Sequence, residues 1–313
     1  MMGKKPIPVR LFLASGVLLL LYFSSCKKEE ITEPPTANIF YSVADKQVAF
    51  TALTTNAESW TWDFGDGNTS TEKTPVHIYD AGGVYTIKLS ANGPKGSADA
   101  MVEVSLALSV REMLTGGASD PDGKTWKISA AHSDKDAITF TDPNLTVLEA
   151  VPAGALSLFL GLGEEYEDEF TFKADGSYSH DTKNGGAFAG LVFTLVNQLN
   201  VVKITPESQS FGFAVTEYTP ETGATFTLTE GEDFSIEVVS QLDKTTVSTL
   251  TFKNATTLDF SGTEFIGLMD FTRKCVIQEI TPDKMRLVMF MSATDGNHFN
   301  KPSLAVIFTF EKV

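Results

Sequence analysis

No stretch constrains this chain more than Trp60-Thr-Trp62-Asp-Phe64-Gly-Asp66-Gly67. Trp60, Trp62 and Phe64 alternate as on a strand, so their three rings project to one face while Thr61 and Asp63 take the other. The Gly65-Asp66-Gly67-Asn68 run that follows supplies residues tolerant of positive φ, which a tight turn requires and bulky side chains refuse. Downstream, Pro75-Val-His77-Ile-Tyr79 leads to Gly82-Gly83-Val-Tyr85-Thr-Ile87-Lys-Leu89, which predicts a second strand with Tyr85, Ile87 and Leu89 inward.

WDFGDG followed by P-x-H-x-Y and G-x-Y-x-I-x-L resembles the PKD domain, a small immunoglobulin-like β-sandwich, over roughly residues 36–106. The resemblance implies a spacer or adhesion module, because a fold of this kind names no activity by itself. Trp62 is expected to be a core residue, with Trp60 nearer the outer end of the strand, and His77 falls on the family motif as a structural residue.

Ahead of this block, Lys4, Lys5 and Arg10 precede an apolar run from Leu11 to Phe23. A bilayer span takes about 20 apolar residues, so the run is short for an anchor and suits a signal-peptide core. It ends in Phe23-Ser24-Ser25-Cys26, which resembles a bacterial lipoprotein processing site with Phe23 where Leu is usual. The resemblance implies cleavage after residue 25 and a lipid on Cys26; the alternative is a secretory signal with an incidental cysteine. Lys27-Lys28-Glu29-Glu30 resembles a Bacteroidetes-type signal for the outer leaflet, or is an ordinary solvated linker, and Pro34-Pro35 makes residues 26–35 a semi-rigid tether.

Removing residues 1–25 takes away three basic side chains and no acid, leaving 21 Lys and Arg against 40 Asp and Glu, net −19 over 288 residues. Such a surface repels nucleic acid and anionic lipid headgroups and disfavours anionic polysaccharide unless a local basic patch overrules it. Neutral ligands and cations stay open. With Cys26 lipidated, Cys275 is alone in an apolar strand pattern and is expected to be a buried, inert thiol. The length suits one small domain and one of about 190 residues.

A helical turn is predicted at Ser109–Leu114, stopped by Gly116-Gly117, within a linker over 107–122; Gly123-Lys-Thr-Trp126 opens the second domain, 123–313. From there the period is two almost throughout. Phe170-Thr-Phe172 turns at Ala174-Asp-Gly176-Ser and returns through Tyr178, and Thr281–Lys284 is a second hairpin turn. Further strands are expected at 211–215, 225–228, 234–238, 248–252, 257–260, 265–268, 275–280, 285–290 and 304–310. An all-β sandwich, jelly roll or closed barrel follows. Residues 151–163 and 188–196 are apolar without alternation and fit a short helix or a buried strand alike.

Four kinds of chemistry are open. Glu165-Tyr-Glu167-Asp-Glu169, read as a strand, puts three glutamates on one face about 7 Å apart, near the spacing of a glycosidase pair. It resembles the E-x-D-x-E signature of jelly-roll glycoside hydrolases with Glu at the middle position and no nearby Trp platform; a solvated strand edge explains it equally. Acidic turns at Asp63/Asp66, Asp120/Asp122 and Asp295/Asn297 are candidate calcium ligands, and turn chemistry alone also explains them. His132, His180 and His298 lack paired spacing, which disfavours zinc or a nucleophilic triad, and no glycine-rich phosphate loop occurs. Tyr166, Tyr178, Tyr218 and Phe299 lie near polar turn residues, where rings stack on sugars or cover the end of a core.

Taken together, the architecture resembles the surface glycan-binding lipoproteins of Bacteroidetes-type polysaccharide-uptake systems, on Gly123-Lys-Thr-Trp126, the Phe170–Tyr178 hairpin and Phe265-Ile-Gly-Leu268. That resemblance implies an outer-membrane, outward-facing protein that binds a neutral glycan without cleaving it, alongside a sugar-uptake transporter. The contacts expected are Trp126, Tyr166, Tyr178, His180 and Tyr218, with no cofactor beyond a possible calcium ion. A glycoside hydrolase using Glu165, Glu167 or Glu169, and an adhesive protein with no small ligand, are the alternatives.

Overall fold

The computed structural model describes residues 33–117, 120–294 and 296–313; the signal segment, Cys26 and Asp295 lie outside the described residues. The first unit has seven strands: β1 Thr36–Ala44, β2 Gln47–Thr55, β3 Ser59–Asp63, β4 Thr69–Ser70, β5 Val76–Ile78, β6 Gly83–Gly93 and β7 Gly96–Leu106. They form a three-stranded sheet ordered β1-β2-β5 and a four-stranded sheet ordered β4-β3-β6-β7. The core between them holds Val48, Phe50, Trp62, Phe64, Tyr79, Ile87 and Leu89, with Trp60 packed at its edge.

The separated motif pieces meet at one corner. Asp66 Oδ2 lies 2.6 Å from His77 Nε2, the His77 ring stacks on Phe64 at 4.3 Å, and the Tyr79 hydroxyl donates to the Phe64 carbonyl at 3.1 Å. Burial pushes the Asp66 carboxyl up, but hydrogen bonds from His77 and Asn68 outweigh it and leave it below the usual range. Gly65 turns at φ +79°, and a Cβ there would stand 2.7 Å from the Thr86 carbonyl oxygen.

A short helix, α1 Val110–Thr115, joins the two units. Ser109 and Glu112 form a capping box and Gly116 closes the other end in the left-handed conformation. On one side Glu112 Oε1 accepts from Lys46 Nζ at 3.0 Å and from the Gly82 amide at 2.8 Å. Burial raises this carboxyl, yet the bonds from Ser109, Gly82 and Lys46 overcome it and hold it at about 2. On the other side Leu114 enters the core of the second unit. Its carbonyl accepts from the Trp126 indole at 2.9 Å, and the Met113 carbonyl accepts from Lys124 Nζ at 2.6 Å.

The second unit contains β8 Lys124–Ile128, β9 Ala137–Phe140, β10 Val147–Ala150, α2 Ala155–Leu158, β11 Glu169–Phe172, β12 Tyr178–Asp181, β13 Gly186–Gly190 and α3 Leu191–Val196. There follow β14 Val201–Lys203, α4 Pro206–Ser210, β15 Phe213–Glu217, β16 Phe226–Val239, β17 Val247–Phe260, β18 Cys275–Ile280, β19 Lys284–Met291 and β20 Leu304–Lys312. The main antiparallel sheet runs β12-β11-β8-β20-β19-β18-β17-β16, with β9 and β10 branching from β20. A bridge between Ser177 and Thr225 and the Tyr178 amide to the Ala224 carbonyl at 2.9 Å bring its two edges together. The sheet therefore curls around one interior of Trp126, Phe170, Phe172, Tyr178, Phe226, Leu287, Phe308 and Phe310. A small sheet ordered β13-β15-β14 packs alongside. The chain is all-β: a PKD-type sandwich followed by a larger antiparallel unit.

Several local expectations change. The separate strands predicted at 225–228 and 234–238, and at 248–252 and 257–260, are two continuous 14-residue strands, β16 and β17. Their pairing is shifted on either side of Glu232, with Gly231 at φ +74° and Asn254 at φ +50°. Such a bulge exchanges the faces of a strand. Phe226 and Leu258 consequently face the interior, whereas Phe234, Ile236, Leu250 and Phe252 cover Val276, Val288 and Phe290 on the outer face. Residues 265–268 are a buried loop rather than a strand, and 151–163 and 188–196 contain α2 and α3.

Candidate functional site

Four of the five residues expected to touch sugar are buried. Trp126 is fully buried, its indole spent on Leu114. The Tyr166 hydroxyl accepts from the Leu156 amide at 3.0 Å and meets His132 Nε2 at 2.8 Å, while Tyr178 donates to the Phe265 carbonyl. Buried His180 lies between the rings of Phe170 and Phe265, and burial lowers its imidazole to about 3; half-buried Tyr218 packs against it at 5.6 Å. The physical reason is the closed sheet. Cross-strand pairs Phe170–His180 and Phe172–Tyr178 lie on its inner face, so the first rings after the Asp175-Gly176 turn fill the core. Buried ring faces cannot stack on a ligand, which corrects Trp126, Tyr166, Tyr178 and His180 as contacts, whereas Tyr218 keeps part of its ring at the surface.

The glutamate run is also rearranged. Residues 163–166 form a turn of 3₁₀ helix, so Glu165, Glu167 and Glu169 do not share a strand face. Glu165 is buried, Glu167 is exposed, and Glu169 pairs with Lys183 at 2.8 Å. Glu165 instead meets Asp168. Both are buried, and burial followed by mutual repulsion pushes Asp168 up, while burial raises Glu165 against the hydrogen bond between them. The pair thus holds a proton under conditions where exposed carboxyls have lost theirs.

Asp120 and Asp122 lie just before Gly123, whose amide bonds the Asp120 carbonyl at 3.0 Å. Asp63 accepts from Gly65 and Asp66 from Asn68 and His77, so these oxygens serve their own loop. Among the described residues no three His, Cys, Asp or Glu side chains are grouped to hold a metal ion. Cys275 is buried, and burial raises its thiol to about 12.

A surface of different character lies where the bulged hairpin meets the segment before β18. An open groove of about 540 Å³ is lined by Phe234, Ile236, Asp259, Phe260 and residues 271–274. Phe234, Phe260 and Phe271 are half-buried, so each ring is held by packing while part of it meets solvent. Phe234 stacks on Phe252 at 6.2 Å, Phe260 leans on Tyr178 at 4.8 Å, and Phe271 sits between Phe193 and Phe299. Lys274 Nζ stands 5.1 Å over the Phe234 ring and 2.7 Å from Glu232 Oε1. Arg273 donates to the Gly262 carbonyl, and its Nε is buried with no partner among the described residues. Asp259 is exposed at the rim. Arg273, Lys274 and Asp259 line the groove, and Glu232, ion-paired with Lys274 from outside the lining, brings the surroundings near neutrality inside a chain of net charge −16. The sequence pattern puts Phe234 and Phe260 in strands, leaves Phe271 between strands, and does not reveal the exposure of any of them. The signal available is the polar Glu230-Gly231-Glu232-Asp233 run between the strands expected at 225–228 and 234–238, where the structure has a bulge.

Residues 32–107 match the family model described as "PKD domain". Collagenase ColA of Bacillus cereus is 36% identical over 76 residues, 22% of this chain and 8% of that one, so this chain spans less than a tenth of that relative's length. The PKD1 domain of the Vibrio cholerae metalloprotease PrtV is 29% identical, covering 24% of this chain and 98% of the domain, with a TM-score of 0.23. A carbohydrate-binding module of the β-sandwich superfamily is 13% identical, covering 90% of this chain and 91% of that one, with a TM-score of 0.26. Family model, sequence identity and the Asp66–His77–Tyr79 corner agree on one assignment: residues 32–107 are a PKD domain.

Proposed function

We propose that the second unit binds a neutral glycan in the Phe234–Phe260–Phe271 groove, without cleaving it, and that the PKD domain is a fixed spacer. The carrying observation is the groove's combination of three half-exposed rings with donors and acceptors whose charges balance. Rings cover the C–H faces of a sugar, the polar rim takes its hydroxyls, and near neutrality sets no penalty on an uncharged polymer. The Glu165–Asp168 pair is buried away from this groove and offers no opposed carboxylates across it. We further propose that a lipid on Cys26 holds the protein at the outer membrane facing outward, beside a sugar-uptake transporter; the support is the sequence pattern around Cys26.

Affinity electrophoresis against glucan, mannan and xylan, with reducing ends assayed in parallel, is the test. Retardation by one neutral polymer, lost in Phe234→Ala and Asp259→Ala, is expected. No retardation by any polymer would favour an adhesive or structural role, and reducing ends released by the wild type but not by Glu167→Gln would favour the hydrolase. Protease treatment of intact cells and fractionation of Cys26→Ala test the anchor: a shielded wild type, or a variant still in the membrane fraction, would refute it.

A further inference from the structure

A second concavity in the same unit opens between β10, α2 and the end of α4. Its volume is about 270 Å³, and its walls are apolar side chains, among them Val151, Leu156, Phe159 and Phe211. The sole charged side chain on the lining is Glu149. None of these residues lines the aromatic groove.

Three features distinguish this hollow from a packing defect. The small buried residue Ala155 lies on its floor, where a larger aliphatic side chain would take up part of the space. On the lining Phe159 is left 54% exposed, an arrangement that folding alone does not reward. One wall is pinned, since the Leu156 amide donates to the Tyr166 hydroxyl, which in turn meets His132. His132 Nδ1 reaches Asp136 at 2.9 Å, and Asp136 accepts from the Thr309 amide on β20 at 2.7 Å. The cavity is thus held open from the main sheet rather than by a loose helix.

The occupant follows from the lining. An apolar cavity of about 150 Å³ stays dry and takes up benzene, so one of this size accommodates a phenyl ring with a short chain. Glu149 is exposed at the mouth and forms no ion pair among the described residues. A ligand whose apolar body fills the hollow would place its polar end beside that carboxylate. An anionic head would meet both Glu149 and a chain of net charge −16, whereas a protonated amine would gain an ion pair.

We propose that this cavity is a binding site for small amphiphiles with an apolar, ring-sized body and a cationic amine head, with Glu149 selecting the head. The site is independent of the glycan groove, so sugar neither competes with its ligand nor is needed for it. Isothermal titration of the purified protein with 4-phenylbutylamine, 4-phenylbutanol and 4-phenylbutyrate tests it, because the three share one body and differ only in the head. The amine is expected to bind tightest, about fivefold better than the alcohol at low salt, with the carboxylate weakest. Glu149→Gln should bring amine and alcohol together, and Ala155→Leu should abolish all three. Ala155→Val, a smaller addition at the same buried lining position, serves as the second filling variant should Ala155→Leu fail to fold. Equal binding of the three heads, undiminished binding in a natively folded filling variant, or no binding of the amine at millimolar concentration would overturn the proposal.

Discussion

Replacing the buried acid pair by its amides, Glu165→Gln together with Asp168→Asn, should change how stability depends on pH. In the folded protein both carboxyls are pushed above their ordinary values of 4.5 and 3.8, each chiefly by burial, with Glu165 raising Asp168 further. Between those ordinary values and the raised ones the native state binds at least one proton that the unfolded chain releases. Stability from this source is complete below pH 4 and is lost as pH rises through the folded values. The slope is about 1.4 kcal/mol per pH unit for each proton held. Asp270, raised by burial to about 7, and Glu264, also raised by burial, add slopes of the same sign, but they are present in both proteins and cancel in the difference. From pH 5 to 7.5 the double variant should therefore gain about 2–3 kcal/mol on the wild type. Urea denaturation at several pH values, read as midpoint shifts at constant slope, measures this. A difference that stays constant within about 0.5 kcal/mol, or one that runs the other way, would show that the pair does not hold its proton.

Three further outcomes follow from burial. Trp62→Ala removes a fully buried indole from the PKD core and should cost about 3–5 kcal/mol in denaturant unfolding; a variant as stable as wild type would contradict its packing. Cys275, at 1% exposure, should resist a thiol reagent at pH 8 in the folded Cys26→Ala protein and react at once in denaturant. Leu114→Ala should cost about 2–5 kcal/mol and loosen α1 from the second unit, seen as separate rotational correlation times for the two units by NMR relaxation.

The PKD block was legible because its motif is short-range and its parts are mutually dependent: the Asp66 turn, His77 and Tyr79 occur together in sequence because they bond together in space. The hairpin turns at 174–177 and 281–284 were legible for a similar reason, their chemistry being contained in four residues. Side-chain direction in the second unit was not. Alternation says which residues share a face and is silent on which face is inside when a sheet closes on itself. Tyr178 and His180 were therefore read as surface contacts, and Phe234 and Phe260 as ordinary strand residues. The Glu165 run misled for another reason: period two is indistinguishable, over five residues, from a 3₁₀ turn entering a strand.

The double grip on α1 bears on what the whole protein can do mechanically. Lys46 and the Gly82 amide hold Glu112 from one side, and Lys124 and Trp126 hold the carbonyls of Met113 and Leu114 from the other. A swivel at this point would let the second unit face any direction, and a bound polymer would have to arrest that swivel at its own entropic expense. Here the arrest has already been made in folding. The 540 Å³ groove is tied to the PKD domain through α1, and if the proposed glycan binds there, pull on it would be transmitted as torque through six residues of helix.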